Sequence, residues 1–519
     1  MPQSTTASSI HSIDEGRKLF RFLTLSKNTS ALNFLSYLVA TSFAICLFVF
    51  LNATQGFVLS QIVKVPSSEL GYTSGSLSFY DEIFSLFLVA FWGIISDFFG
   101  RRLVYALGFF FMSVGIFTFT FAQNVYPQLL IFRLVFALGG AATSSMLTAV
   151  LADQVQDESK GKLSGVVGLF SGLGALIALF GFLRLPTMFK VNGLQYTFYI
   201  VGSICFLFSI FIWFSLKNRV VVKKNININN SSSSPRTPNS TGNATNASSD
   251  GLIPNYEVEN AAPTSNSHIP RSARSIENCP AVIKSKSFPI VVKEGLYAIK
   301  DPKVLLGYVG GFLARGDTII LTLFLPLWVY KYYISNGTCS ADNPDDVGIK
   351  DMCRSAYIYA STLSGIAQTV ALVGAPLVGW FSDRFYRPIS MVLSAIIGGL
   401  GYFLLYFQKD PTQKISFFIV SLVGLGEIGM VVSSLTFVTG KHIPLGSRGS
   451  IAGMYSMFGA LGILINTKLG GWLFDNWDVG GAFFLMGVCH VFCLLLGFVV
   501  MINDFRKGST HTSEAEEII

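Results

Sequence analysis

Long apolar runs, each ended by a short polar stretch, recur twelve times along the chain. They fall at 34–52, 77–95, 103–122, 128–151, 163–182, 197–215, 304–329, 357–381, 389–407, 415–439, 450–473 and 482–502. A bilayer core takes about 20 apolar residues per helix, and each run is close to that length. The apolar residues are continuous and do not alternate with polar ones, which excludes the strands of an outer-membrane barrel. Gly and Pro inside several runs are compatible with membrane helices. The pattern predicts an all-α integral membrane protein with twelve transmembrane helices.

The runs divide six and six around a polar stretch. It contains NININNSSSSPRTPNSTGNATNASSD, a tract too poor in apolar residues to fold. The predicted organisation is an N-terminal tail at 1–32, a six-helix half at 33–217, a disordered linker at 218–302, a second six-helix half at 303–503 and a C-terminal tail at 504–519. The halves repeat each other. KGKLSGVVGLFSGLGALI from Lys160 aligns with RGSIAGMYSMFGALGILI from Arg448. At an offset of 288, Gly161/Gly449, Gly165/Gly453, Phe170/Phe458, Leu173/Leu461, Gly174/Gly462 and Ile177/Ile465 coincide. At an offset of 286, Gly93/Gly379, Ser96/Ser382 and Asp97/Asp383 coincide. Two pseudo-symmetric six-helix halves are the expected architecture.

Composition agrees with lipid as the solvent. The chain is 51% hydrophobic and 13% charged, where a soluble domain carries about 25% charged residues. Charge adds orientation. With both termini on one side, 26 of the 37 Lys and Arg fall on that side, so the positive-inside rule makes the termini cytosolic. These bases explain the pI of about 9.0 without nucleic acid. On the opposite side, Asn336-Gly-Thr is an expected glycosylation acceptor, and Cys339 and Cys353 in the same loop are expected to form a disulfide in an oxidising compartment. The linker triplets, such as Asn243-Ala-Thr, read as chance in an Asn/Ser tract.

Between the second and third runs stands FWGIISDFFGRRL. Gly93-x-x-x-Asp97-x-x-Gly100-Arg101-Arg102 resembles the signature of the major facilitator superfamily. The second copy departs from it, with Tyr386 at the glycine position and Arg387-Pro388 for the basic pair. The resemblance implies that this cluster gates the cytosolic mouth. Asp97 would face the positive N-terminus of the eleventh helix near Gly449, Arg101 would reach Asp153, and Gly93 would allow close helix approach. Asp383 would act likewise at the start of the fifth helix near Gly161, with Arg387 beside it. Arg102 reads equally well as a positive-inside anchor. Neither the antiporter Gly-Pro pair of the fifth helix (Gly172-Leu173 stands here) nor the acidic-proline motif of sugar porters is present.

Charges at membrane depth are costly and mark function. Arg133, Arg315, Asp317 and Glu427 interrupt the fourth, seventh and tenth runs. Asp81 and Glu82 are expected one turn below the outer end of the second. The resemblance implies that helices one, four, seven and ten line a central cavity. Arg133, Arg315, Asn52 and Gln55 are then the expected substrate-binding residues, and Glu427, Asp317, Asp81 and Glu82 the expected proton carriers, with Glu427 within reach of Arg315. His490 reads as a packed residue. The predicted function is secondary transport of a small polar solute, an organic anion for example, by alternating access with protons as the candidate coupling ion. A non-transporting sensor on this fold, a facilitative uniporter and a drug exporter remain open. No HExxH, metal-spaced cysteines or GxxxxGK[ST] loop occurs, so the reading includes no enzyme, metal, cofactor or ATP site. The expected partners are the solute and the bilayer, with a monomeric chain in the plasma membrane or a vacuolar or endosomal membrane.

Overall fold

The computed structural model describes residues 18–19, 23–24, 31–154, 160–189, 192–216, 288–337, 347–438 and 448–516. Lys18–Leu19 and Leu23–Thr24 form a minimal antiparallel pair, Lys18 opposite Thr24. Everything else regular is helical. The first six spans are α1 (Ala31–Gln61), α2 (Leu70–Phe99), α3 (Arg101–Phe119), α4 (Leu130–Gln154), α5 (Lys160–Leu176) and α6 (Gly193–Ser215). A short helix, α7 (Phe288–Tyr297), precedes the seventh span, which is α8 (Pro302–Ile319) and α9 (Leu325–Ser335) joined by a π-helical turn at Ile320–Phe324. The last five spans are α10 (Val347–Arg384), α11 (Arg387–Phe407), α12 (Ile415–Val438), α13 (Arg448–Asn476) and α14 (Gly481–Glu516). Among the described residues, twelve helices are long and apolar enough to cross a membrane.

Local chemistry sets several boundaries. Asp301 caps α8 by accepting from the Lys303 amide at 2.9 Å, with Pro302 at the first helical position. Gly100, at φ 91°, is the single residue between α2 and α3, a left-handed conformation that a side chain would strain.

Three expected boundaries are corrected. The linker predicted at 218–302 ends in structure, because α7 docks on the second half. Tyr308 Oη donates to the Gly295 carbonyl at 3.1 Å, and Ser450 Oγ donates to Glu294 Oε2 at 2.9 Å. The last helix continues past residue 504, where a tail was expected. The third correction moves a site. α2 starts at Leu70, not near 77, since its polar first turns (Gly71, Ser74, Gly75) are buried contacts with α13. Small residues allow membrane helices to approach closely, and a Cβ on Gly75 would overlap the Thr467 carbonyl oxygen. Asp81 therefore lies eleven residues into the helix, about 16 Å at 1.5 Å per residue. That places it at mid-depth and not one turn below the surface.

The start of α1 and the end of α14 define one side of the bundle, called here the terminal side. The halves meet on the opposite, far side. Asp475 of α13 accepts from the amides of Gly71 and Tyr72 at 3.0 and 2.6 Å, so one half caps a helix of the other, charge against dipole. Lys468 Nζ donates to Tyr72 Oη and Ser76 Oγ, both at 2.9 Å. Lys331 donates to the Ser67 carbonyl. Phe57 stacks on Tyr357 at 3.9 Å, and Gln61 bridges Tyr330 and Tyr357. Arg184, after α5, donates to Ser361 and Thr362 of α10 at 2.8 and 2.9 Å. A Cβ on Gly168 of α5, Gly379 of α10 or Gly453 of α13 would meet nothing within 4 Å. The cross-half contacts given above lie on the far side.

Candidate functional site

Six charged side chains sit inside the spans where the sequence placed charge, and they fall into three groups. In the first half, Arg133 of α4 is 2% exposed. Its Nη2 lies 2.9 Å from Asp81 Oδ2 of α2 and donates to Asn52 Oδ1 of α1 at 3.0 Å and Ser78 Oγ at 3.2 Å, while Nη1 donates to Gln55 Oε1. Gln55 Nε2 in turn donates to the Ser74 carbonyl at 2.8 Å. A planar guanidinium with fixed donors suits such a cage; both terminal nitrogens are engaged, while the buried Nε has no partner. Arg133 and Asp81 were expected as an anion site and a proton carrier apart; they are one ion pair. Asn52 and Gln55, expected to contact solute, hold that arginine.

In the second half, Glu427 of α12 is 6% exposed. Oε1 accepts from Thr318 Oγ1 at 2.9 Å and Oε2 from Gln368 Nε2 at 3.0 Å. The expected neighbourhood with Arg315 is corrected: both donors to Glu427 are neutral. Arg315 lies beyond them, exposed although inside the seventh span. Its stem packs where a Cβ on Gly459 of α13 would fall, and its charge acts on Glu82 of α2 and Tyr455 of α13. Arg315 thus stands between the halves. Two residues on, Asp317 turns the other way and is fully buried, with Oδ2 3.6 Å from Nε2 of His490 in α14. The π-helical turn begins three residues after Asp317, and such turns recur at functional sites.

The gating cluster is described in part. The side chains of Asp97, Asp153, Asp383 and Cys353, and all of Cys339, lie outside the described residues. Arg101 donates to Ser96 Oγ of its own half. Arg102 lies 4.5 Å over the Trp213 ring, and Arg387 donates to the Thr436 carbonyl at 3.3 Å. Gly93 was expected at a close approach of helices. Here a Cβ would make an ordinary 3.4 Å contact with Ser145 of α4. Sequence reasoning missed Lys468 and Arg184, both in spans and both bridging the halves. Their signal was a base interrupting an apolar run, read too near a boundary.

The chain has informative relatives. The family model for the Major Facilitator Superfamily matches residues 34–465 and 307–517. The magnetosome protein MamH of Paramagnetospirillum magneticum is 20% identical over 463 residues, covering 88% of this chain and 89% of that protein. The multidrug resistance protein MdtG of Proteus mirabilis is 29% identical over 217 residues, 42% of this chain and 47% of MdtG. In three dimensions the chain resembles the nucleoside transporter NupG, with a TM-score of 0.59, 13% identity, and 91% and 99% of the two chains covered. It also resembles a bacterial homologue of the human lysosomal transporter Spinster in an inward-facing, unoccupied conformation, with a TM-score of 0.58, 12% identity, and 91% and 98% covered. These structural likenesses concern the fold. The sequence motif, the repeat, the twelve spans and the match along nearly the whole length agree: this integral, multi-pass membrane protein belongs to the Major Facilitator Superfamily.

Proposed function

We propose that the chain carries a small polar solute with negative charge, such as an organic anion, across the membrane by alternating access coupled to protons. The carrying observation is Arg315, a cation exposed at depth between the two halves. A charge there is costly unless water or a ligand meets it. Glu82, the acid that acts on it, belongs to the opposite half. An anion reaching Arg315 would replace the influence of Glu82 and so change what draws the halves together. Asp81 and Glu427 are the proton carriers of this scheme. A proton on Asp81 would loosen its hold on Arg133 and free a second guanidinium for the solute.

Uptake of a labelled metabolite mixture into proteoliposomes holding the purified protein, with and without a pH gradient, tests the reading. Arg315→Ala removes a charged hydrogen-bond donor worth about 1.5–3 kcal/mol, so apparent affinity for the transported anion should fall roughly ten- to hundredfold. Uptake of neutral or cationic compounds alone, untouched by Arg315→Ala, would refute anion selectivity. Drug export is the second reading, favoured by the MdtG match, and efflux of hydrophobic cations would support it.

The reading also makes the termini cytosolic. Asn336, exposed at the C-terminal end of α9 on the far side, should then carry glycan in a secretory-pathway membrane. A glycosidase-sensitive gel shift lost in Asn336→Gln is expected. A shift that survives there but disappears with the linker triplets would invert the topology.

A further inference from the structure

Behind the seventh span, away from Arg315, lies a polar cluster that the transport scheme leaves unused. Asp317 of α8 and His490 of α14 are both fully buried, with Oδ2 and Nε2 3.6 Å apart. His490 Nε2 and both carboxylate oxygens lack a hydrogen bond of good geometry, and the buried hydroxyl of Tyr402 in α11 faces Asp317 as a neutral donor without completing one. The other ring nitrogen fixes the protonation. His490 Nδ1 lies 3.0 Å from the Met486 carbonyl oxygen. A carbonyl only accepts, so Nδ1 carries hydrogen. In neutral His490 the Nε2 facing Asp317 is then a lone pair. An ionised Asp317 beside that lone pair would set two acceptors face to face with no donor between them. In a dry interior that arrangement is expensive.

We propose that Asp317 and His490 together hold one exchangeable proton, as carboxylic acid with neutral imidazole or as carboxylate with imidazolium, and that this pair is a proton-binding site separate from the solute cavity. Glu427 connects the two. It acts on Asp317 electrostatically and accepts from Thr318, the residue next to Asp317. The other titratable groups facing Asp317 are Tyr402 of α11 and Cys489 and Cys493 of α14. Tyr402 can offer one neutral O–H and none of the three brings a positive charge, so the charge of Asp317 is balanced by a proton shared with His490. Glycine makes the enclosure tight: a Cβ on Gly398 of α11 would lie 2.5 Å from His490 Nε2. Loading and unloading therefore act directly on the packing of α8, α11 and α14.

The test reads the proton itself and needs no solute, so its failure and failure of the transport reading are distinguishable. The full-length protein in lipid nanodiscs is titrated with pH by infrared difference spectroscopy in H2O and D2O. In parallel, histidine 15N resonances are recorded, His490 being assigned with His490→Gln. The expected results are a D2O-sensitive protonated-carboxyl band lost in Asp317→Asn, distinct from any band lost in Glu427→Gln, and a His490 Nε2 resonance that moves in Asp317→Asn. Should Asp317→Asn fail to fold, the same carboxyl band must change in His490→Gln. A band and a resonance indifferent to these substitutions overturn the proposal. So does displacement of the band by sodium or lithium at constant pH, which would make the site a metal-cation site.

Discussion

Arg133→Ala is expected to destabilise the protein by about 3 kcal/mol and to abolish transport, because it leaves Asp81, 19% exposed, without its opposite charge. Among the described residues the arginine is the partner that brings opposite charge to Asp81, and it engages Asn52, Gln55 and Ser78 besides. Its loss unmakes contacts among α1, α2 and α4 together. Arg133→Met combined with Asp81→Leu removes both charges and should recover much of the stability, since apolar replacements of similar volume often match a buried ion pair. Transport should stay absent in the double variant. Thermal unfolding in detergent together with proteoliposome uptake separates the two effects. An Arg133→Ala protein as stable as the parent would show that water, not Arg133, compensates Asp81.

Gly75→Leu is expected to drive the protein out of the state closed on the far side. A Cβ there collides with the Thr467 carbonyl, and backbone cannot swing away as a side chain can. Overpacking costs about 1–3 kcal/mol, enough to shift the balance of the two states roughly tenfold. The helices can relieve it by separating, which is the motion that opens the far side. Ser60→Cys is a suitable reporter, since Ser60 is 1% exposed near the far end of α1. In a background lacking Cys339 and Cys353, an impermeant thiol reagent applied from the far side should label it about ten times faster when Gly75→Leu is present. Unchanged labelling, with the protein folded, would mean that this contact does not hold the closed state.

The twelve spans and the repeat were legible because lipid imposes a coarse rule, about 20 apolar residues per crossing. The charges at depth were legible for the same reason: Arg133 or Glu427 interrupts an otherwise apolar run. Their partners were not. Pairing depends on where a helix starts and how it is rotated, and α2 begins in Gly-Tyr-Thr-Ser-Gly-Ser, which reads as loop. Moving that start to Leu70 carries Asp81 to the level of Arg133. Asp317 and His490 lie at opposite ends of the second half in sequence, and only the packing of α8 on α14 joins them. Lys468 drew no notice in the eleventh run, because its acceptors, Tyr72 and Ser76, belong to the unrecognised beginning of α2.

The cap that Asp475 places on α2 has a consequence beyond geometry. Asp475 groups with Lys331 and Lys468 toward the far side, all three part-exposed. At about 0.15 M salt the Debye length is roughly 8 Å, comparable to the size of the cluster. When the halves part, the amides of Gly71 and Tyr72 exchange a carboxylate for water at little cost, and electrolyte eases the exchange further. The balance between the two states then depends on the ionic strength of one compartment alone. Raising salt only on the far side should favour opening there, while the same salt on the terminal side should leave the cap untouched. The expected result is a carrier whose state responds to the salinity on its far side, whatever its cargo.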